Sequence, residues 1–346
     1  MERRDFVKTT AGLGGLALTP CLVDTAILLG RLPARAGAPR PGVPDATAHV
    51  AFVKTGDHAV GVRRALDILE FGDVRGRHLF LKPNFNSHHQ SPGSTHDQTL
   101  TTLVEELQSR GAGRITVGDR SGMGDTREVM ERKRIFRMGE ELGFDTVVFD
   151  ELSASGWEII SLDGGHWSRG FPVARPVLEA DGVVQTCCLK THQFGGHFTL
   201  SLKNSVGLVA KRVPGQPHDY MRELHRSPDQ RRMIAEVNMA YVPDLVVLDG
   251  VEAFVSGGPH TGETARTEVV LAGTDRVALD AVGVAILRYF GTTAEVSRGA
   301  VFAQEQIARA AELGLGVGGP DRIELLTDDR ESREYAARIR EVLLEA

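Results

Sequence analysis

Four short apolar runs in this chain each lead abruptly into ionisable side chains. The segments that follow them are Lys82-Pro83-Asn84, Gly118-Asp119-Arg120-Ser121, Lys190-Thr191-His192 and Asp249-Gly250. Short apolar runs bounded by turn residues are typical of buried parallel strands. In an open α/β sheet, such strands deliver their carboxyl ends to one edge, where ligands bind. The pattern therefore predicts one polar site built from distant parts of the chain, and it leaves the reaction open.

Strand and helix periodicities alternate after residue 45. Apolar residues recur at helical spacing in 58–70 and 95–110, between predicted strands at 49–54, 79–82 and 114–118. This βαβα order is typical of a largely parallel sheet with helices on both faces. The sequence predicts an α/β fold: a single domain over residues 46–346, with a largely parallel, mixed sheet.

Three local predictions concern the middle of the chain. The spacing predicts one helix over 125–143 and a strand over 197–202, where apolar and polar residues alternate. The stretch 211–229 is polar and contains several prolines and histidines. It predicts a helical excursion or lid, within 205–242, that covers the site.

The first 36 residues have the order of an export signal. Arg3 and Arg4 precede a modestly apolar stretch at 11–30, and Ala34-Arg35-Ala36 is an A-x-A cleavage candidate. The sequence predicts a twin-arginine signal peptide over 1–36 and a linker over 37–45. The implied partner is the twin-arginine translocase, and the implied location is periplasmic or extracellular. The alternative is an uncleaved cytosolic tail with a fortuitous arginine pair.

Charge and cysteine content exclude several functions. The formal net charge is −6 at pH 7, without the basic stripe that nucleic acid binding requires. Cys21 lies in the predicted signal, which leaves Cys187 and Cys188. Adjacent strand residues point to opposite faces, so this pair does not chelate one ion. The sequence therefore predicts no iron–sulfur cluster within this chain and two buried strand cysteines.

Two of the polar segments have features that are typical of anion binding. A lysine held at a strand end, such as Lys82, neutralises a carboxylate or phosphate, although an ordinary exposed lysine is the alternative. Asp119 and Ser121 lie in the glycine-rich segment 118–124, whose main-chain N–H groups can approach a ligand. The segment lacks the Gly-Lys-Ser/Thr ending of a P-loop, and simple turn geometry is the alternative.

Histidines predict a divalent metal site near the same edge. His88, His89 and His96 follow Lys82, and His197 follows His192 in a glycine-containing loop. Two or three imidazoles that meet at a sheet edge would bind zinc or another divalent ion. No motif-grade spacing is present, and solvated or hydrogen-bonded loop histidines are the alternative.

The order of these segments resembles the domain-of-unknown-function 362 family, from about residue 50 to 290. The most specific pieces are Ser201-Leu202-Lys203-Asn204-Ser205-Val206-Gly207 and Gly257-Gly258-Pro259-His260-Thr261-Gly262. Many members carry a ferredoxin module, but this chain lacks its cysteines. The resemblance implies no established reaction. It implies a shared site at Lys82, Asn84, Lys190, His192, Lys203, Asn204 and Asp249.

Three lysines at one locus would favour an anionic ligand, and their mutual repulsion would lower the pKa of one of them. A lysine of lowered pKa serves as a base or a Schiff-base nucleophile. The catalytic candidates are Lys190, His192, Lys203 and Asp249, and the ligand-binding candidates are Lys82, Asn84, Asp119, Ser121, Asn204 and His260.

The leading functional hypothesis is an exported enzyme that acts on a small anionic, carboxylate-type substrate, with a divalent metal as an optional cofactor. Its lysines bind the anion, His192 or a lysine moves a proton, and Asp249 orients the proton carrier. The alternative is a non-catalytic ligand-binding or redox-accessory protein that works with a separate iron–sulfur partner.

Overall fold

A computed structural model describes residues 46–345. The predicted export signal at 1–36 and the linker at 37–45 lie outside these residues. The strands are β1 (Ala48–Lys54), β2 (His78–Lys82), β3 (Arg114–Asp119), β4 (Asp145–Val148), β5 (Trp157–Ile160), β6 (Phe171–Ala174), β7 (Gly182–His192), β8 (His197–Thr199), β9 (Leu245–Gly257), β10 (Gly262–Ala265), β11 (Val269–Gly273) and β12 (Ile323–Leu326). The helices are α1 (His58–Ile68), α2 (Asp97–Ser109), α3 (Thr126–Arg132), α4 (Ile135–Leu142), α5 (Arg175–Glu179), α6 (Ser201–Asn204), α7 (Tyr220–Arg226), α8 (Gln230–Val237), α9 (Arg276–Tyr289), α10 (Ala294–Ser297), α11 (Glu305–Glu312) and α12 (Arg330–Leu344).

One mixed sheet organises the fold. Its strand order is β12-β1-β11-β9-β7-β2-β3-β4, with β10 paired to β9 and β8 paired to β7. The strands from β9 to β4 run parallel, whereas β11 runs antiparallel to both β9 and β1. Strands β5 and β6 form a separate antiparallel pair. The prediction of a largely parallel, mixed α/β sheet is confirmed.

Apolar side chains cover the sheet on both faces. Consecutive residues of β9 illustrate this, because side chains alternate along a strand. Val247 packs in a cluster with residues of α1 and α2, such as Leu66 and Leu103. Leu248 packs in another cluster with residues of α9 and α12, such as Ile339. Helices therefore lie on both faces, as the sequence predicts.

Helix α9 is the most deeply buried helix of the described chain. Its first twelve residues, 276–287, are all buried, and Asp275 caps its start by accepting the Ala278 N–H (2.9 Å). A helix that is apolar on every side belongs to the interior of a domain or to a membrane. Within 46–345, no helix has both the length and the apolar character needed to cross a bilayer.

Two local predictions are wrong. The predicted strand over 197–202 ends at Thr199, and helix α6 begins at Ser201. The buried carboxylate of Asp280 explains this, since it accepts the N–H groups of Ser201 (2.8 Å) and Leu202 (3.1 Å). The predicted helix over 125–143 is divided into α3 and α4 because Arg134 adopts φ +57°.

Candidate functional site

A cleft of about 170 Å³ opens beside the carboxyl ends of β2, β3 and β7. Lys82 ends β2, Asp119 ends β3, and Lys190 and His192 are among the last three residues of β7. Helix α6 adds Lys203 from the side. The three predicted lysines therefore line one cavity. Its charged, amide and imidazole lining consists of Lys82, Asn84, Asn86, Asp119, Arg120, Lys190, His192, Lys203, Asn204, Lys211 and His225.

A continuous hydrogen-bonded chain forms the floor of this cleft. Lys190 Nζ donates to Asn84 Oδ1 (2.9 Å), and Asn84 Nδ2 donates to Asn204 Oδ1 (3.0 Å). The same Asn204 oxygen accepts from Lys82 Nζ (3.1 Å), which also pairs with Asp119 Oδ1 (2.9 Å). Both amides are oriented by their partners, because each oxygen faces an ammonium group. This hydrogen-bonded network holds Lys82 and Lys190 in fixed positions.

Lys82 and Lys190 have used all of their hydrogen-bond donors within the protein. An ammonium group has three N–H donors. Lys190 Nζ also donates to the carbonyls of Gly93 (2.6 Å) and Pro259 (3.2 Å), and Lys82 Nζ also donates to the Pro83 carbonyl. Both side chains are fully buried. These lysines therefore supply fixed positive charge to the cleft rather than a free donor.

Lys203 differs from the other two lysines. Within 46–345 it makes no hydrogen bond or ion pair. Burial, followed by the nearby charges of Lys190 and Arg120, lowers the pKa of Lys203 to about 7. The side chain of Lys203 passes close to Gly196, since a β-carbon added at Gly196 would lie 2.5 Å from Lys203 Cε. Lys203 is therefore the lysine of this cleft whose amine is free to bind a ligand, within the part of the chain that the structure describes.

The pKa of Lys203 gives a stability prediction. Its ordinary pKa is 10.5, so the unfolded chain binds more protons than the folded one between pH 7 and pH 10.5. The contribution of Lys203 to the stability of the wild type therefore rises with pH across this window. The variant Lys203→Met should exceed the wild type in Tm most at pH 7 and least near pH 10. The control Lys211→Met removes a lysine at the rim, and its difference in Tm from the wild type should not change with pH in this way. If the Tm of Lys203→Met and the Tm of the wild type change with pH in parallel, the lowered pKa of Lys203 is contradicted.

Two histidines face the cleft with complementary nitrogen atoms. The Phe194 N–H donates to His192 Nδ1 (3.3 Å), so neutral His192 carries its proton on Nε2. Nδ1 of His225 contacts the Met221 carbonyl (2.7 Å), so Nδ1 carries the proton and Nε2 keeps a lone pair. Burial, together with the charge of Lys203, lowers the pKa of both histidines. His192 therefore offers a hydrogen-bond donor to the cleft, and His225 offers an acceptor.

The cleft has a strong positive bias. Five cationic side chains line it, against the single carboxylate of Asp119. Asp119 is itself committed, because its oxygens accept the N–H groups of Phe85 and Arg120 (both 2.7 Å). The guanidinium of Arg120 is buried and donates to the carbonyls of Val206 (2.6 Å) and Val209 (2.8 Å). An anion entering this cavity meets uncompensated positive charge.

The structure does not bring Asp249 to the cleft. Strand β9 continues past it to Gly257, so Asp249 lies within the strand and not at its end. Its Oδ2 accepts from His58 Nδ1 (2.8 Å) and from Thr99 Oγ1 (2.6 Å). The sequence analysis predicts that Asp249 orients the proton carrier, His192 or a lysine, but within the described residues Asp249 makes no hydrogen bond or ion pair with His192 or with a cleft lysine.

Ser121 and His260 are also absent from the cleft lining. Ser121 is fully buried, and its Oγ donates to the Phe85 carbonyl (2.6 Å), which joins the loops after β3 and β2. His260 follows Pro259, whose carbonyl binds Lys190, and its ring lies 5.2 Å from that of His89. Ser121 therefore holds these two loops together, and neither residue lines the cleft.

The four predicted metal ligands occupy different surroundings. His88 and His89 stack on each other (4.8 Å between ring centroids), whereas His96 stacks on His58 (3.7 Å). His197 begins β8, and burial and Arg231 lower its pKa. Across 46–345, no group of three or more histidine, cysteine, aspartate or glutamate side chains is arranged to hold a metal ion.

The prediction that both cysteines are buried strand residues is confirmed. Cys187 and Cys188 are both fully buried in β7, and neither is in a disulfide. Burial raises the pKa of Cys188 to about 11. A thiol of raised pKa is a poor nucleophile at neutral pH, so packing explains both residues.

Several cleft residues were not predicted. Helix α7 supplies His225, and the segment before it supplies Lys211, which pairs with Asp150 (2.8 Å). The same 205–242 segment buries Tyr220 and Leu224 in the core, so the predicted lid has one side in the protein interior. The polar histidine-containing composition of this stretch was the available signal, but it did not indicate which side chain faces the ligand.

The mouth of the cleft has apolar side chains beside the polar His225 and Lys211. Phe194 and Met123 line it and are 50% and 40% exposed. Exposed aromatic and methionine side chains at the mouth of a cavity are suited to contact with an apolar ligand surface. The sequence offered one signal, an aromatic residue at 194 beside two glycines in an otherwise polar loop.

Comparisons with known proteins agree with the resemblance seen in the sequence. The family model described as a domain of unknown function, DUF362, matches residues 79–285. A curated thylakoid-associated protein of Synechocystis sp. is 27% identical over 263 residues, which cover 73% of this chain and 75% of that protein. The family match contains the whole cleft, from Lys82 to Pro259. The chain belongs to the domain-of-unknown-function 362 family.

Proposed function

We propose that this protein is an enzyme that acts on a small carboxylate-type substrate in the cleft beside β2, β3 and β7. The observation that supports this is the charge distribution: five cations line the cleft, and only Lys82 and Lys211 among them pair with carboxylates of the described chain. Among the cations, Lys203 has no partner within the described chain. In its protonated form Lys203 attracts an anion strongly, because no carboxylate of the described chain neutralises it in this desolvated cavity.

Each group has a distinct part in this proposal. Lys82 and Lys190 provide a fixed positive potential that costs no reorganisation when the anion enters. Lys203 donates a hydrogen bond to the carboxylate or moves a proton at Nζ, since its pKa of about 7 is close to neutral pH. His192 donates from Nε2. The amide chain through Asn84 and Asn204 keeps the lysines apart at a fixed spacing.

The two exposed apolar side chains at the mouth, Phe194 and Met123, define the substrate further. A carboxylate that reaches Lys203 places the rest of its carbon skeleton against Phe194 and Met123. We therefore propose an acid with an apolar or aromatic body rather than a sugar acid or a phosphate. Burial of such a body contributes about 25 cal/mol per Å² of apolar surface.

Calorimetric titration with phenylacetate, acetate and phosphate tests this binding mode. We expect phenylacetate to bind best, and Lys203→Met to weaken its binding at least tenfold, because a charge-assisted hydrogen bond contributes about 1.5–3 kcal/mol. Phe194→Ser should reduce the preference for phenylacetate over acetate. The control Lys211→Met removes a rim lysine already paired with Asp150 and should change affinity little. Equal affinity of Lys203→Met and the wild type would contradict the proposal.

A second candidate is a non-catalytic accessory protein that binds an acid and works with a separate iron–sulfur partner. The name of the Synechocystis relative, a thylakoid-associated protein, favours it, because it points to a role beside a membrane. The two candidates differ in turnover. Acids bound at Lys203 and recovered unchanged, with no exchange of their hydrogens for deuterium from the solvent, would favour this second function.

We also propose that the chain is exported by the twin-arginine translocase. The support is the order of Arg3-Arg4, an apolar stretch and Ala34-Arg35-Ala36 in the sequence. A relative associated with thylakoids is consistent with a secreted or membrane-proximal location. The cleft chemistry does not depend on this proposal, because every cleft residue lies at Lys82 or beyond.

A further inference from the structure

The amine of Lys203 has the surroundings of a covalent nucleophile. Lys203 makes no hydrogen bond within the described chain, and its chain lies against Gly196. A β-carbon at Gly196 would lie 2.5 Å from Lys203 Cε and 3.2 Å from His192 Nδ1, so the lysine chain and the imidazole are close neighbours. An unpaired amine beside an acid–base group in a cavity is the arrangement that covalent catalysis by lysine requires.

We propose that Lys203 Nζ forms an imine with the carbonyl carbon of a 2-oxo acid bound in this cleft. The inference rests on the proposed function and deepens it, because it names the substrate class. The carboxylate of the 2-oxo acid lies in the positive field of Lys190 and Lys82. The adjacent carbonyl then lies within reach of Lys203, and the side chain of the acid points to Phe194 and Met123.

The covalent step balances without another reactant. The Nζ lone pair attacks the carbonyl carbon, and the carbonyl oxygen takes up a proton to give a carbinolamine. Loss of that hydroxyl group with a second proton releases one water, and the C=N bond replaces the C=O bond. Nζ gives up two hydrogens in total, which leave with the oxygen as water. The Nε2 lone pair of His225 receives each proton from nitrogen and passes it to the oxygen, and His192 Nε2–H donates a hydrogen bond to that oxygen.

The other two lysines of the cleft do not suit this role. Lys82 and Lys190 each have three acceptors for three N–H donors, so neither has a free lone pair while these bonds persist. Attack by either would break a buried hydrogen-bonded network. The pKa of Lys203, lowered to about 7 by burial and by the charges of Lys190 and Arg120, leaves a large neutral fraction at pH 7.

Reductive trapping tests the proposal. The full chain is incubated at pH 7 with phenylpyruvate or pyruvate and sodium cyanoborohydride, and its intact mass is measured. We expect one adduct per chain, with the mass of the 2-oxo acid less one oxygen, and peptide mapping should place it on Lys203. Excess phenylacetate, which has the carboxylate but no ketone, should slow the labelling by occupying the same cleft.

The matched variant is Lys203→Arg, which keeps a cation but forms no stable imine. It should show no adduct at position 203 while it still unfolds in one cooperative thermal transition, and Lys203→Met serves in its place if the arginine variant does not fold. An unlabelled wild type that still binds phenylacetate through Lys203 would overturn the imine and leave the proposed function standing. Failure of both binding and labelling would overturn both. Labelling spread over surface lysines, or unchanged in the variant, would also overturn the imine.

Discussion

Replacing Asp119 with asparagine is expected to lower the free energy of unfolding by about 3–5 kcal/mol, the usual cost of leaving one member of a buried ion pair alone. Lys82 Nζ lies 2.9 Å from Asp119 Oδ1, and the two side chains are 1% and 2% exposed. Burial already lowers the pKa of Lys82, and the carboxylate is the largest influence opposing that shift. Without Asp119, the ammonium group has no counter-charge. Urea denaturation at pH 7 measures the loss.

A double variant separates the ion pair from other effects of Asp119. Because Lys82→Met/Asp119→Asn removes both charges, no lone buried charge remains. The double variant should therefore be more stable than the simple sum of the two single substitutions predicts. If the two losses simply add, the pair carries no coupling and our account of the cleft floor is wrong.

Gly207→Ala is expected to cost about 1–3 kcal/mol of unfolding free energy, the usual effect of overpacking a dense interior. A β-carbon at Gly207 would lie 2.3 Å from Asp119 Oδ1 and 2.9 Å from Lys82 Nζ. The carboxylate cannot move freely, because it also accepts two main-chain N–H groups. The substitution should therefore separate the buried pair and weaken phenylacetate binding at the same time.

Gly318→Ala is the matched control for this substitution. Gly318 is exposed, its β-carbon would have no neighbour within 4 Å, and its φ is not in the left-handed region. The alanine should change stability by no more than about 1 kcal/mol, through the unfolded chain alone. Equal unfolding free energies and equal phenylacetate affinities for Gly207→Ala and Gly318→Ala would contradict the close approach that we describe at the cleft.

Local sequence patterns predicted the convergence of Lys82 and Lys190. Lys82 and Lys190 follow apolar runs that are neighbouring parallel strands in the structure, since β2 pairs with β7. Lys203 entered through the resemblance to a family and not through a strand pattern. Its position depends on Asp280, 77 residues away, whose carboxylate starts helix α6 where alternation predicted a strand.

Asp249 shows why the same pattern misled elsewhere. An acidic residue after an apolar run is typical of a strand end, but β9 continues because β10 folds back to pair with its second half. Asp249 is thus held inside the sheet, where its carboxylate accepts from His58 and Thr99. A pairing partner that comes later in the chain is not visible in the run itself.

The predicted roles of the lysines also required revision. From composition alone, all three lysines are equivalent cations. The structure makes two of them saturated donors and leaves one free, because Asn84 and Asn204 arrive from different elements to accept from Lys190 and Lys82. Hydrogen-bond saturation depends on the positions of main-chain carbonyls such as Gly93 and Pro259, and periodicity says nothing about them.

By itself, the sequence determined the α/β class, the burial of both strand cysteines and the edge of the sheet where charged groups gather. These properties follow from local periodicity and from the polarity of parallel strands. Only the tertiary structure decided which of those groups face one cavity and which lysine keeps a free amine. The physical reason is that side-chain pairing in the cleft floor joins residues up to 122 positions apart, as between Lys82 and Asn204.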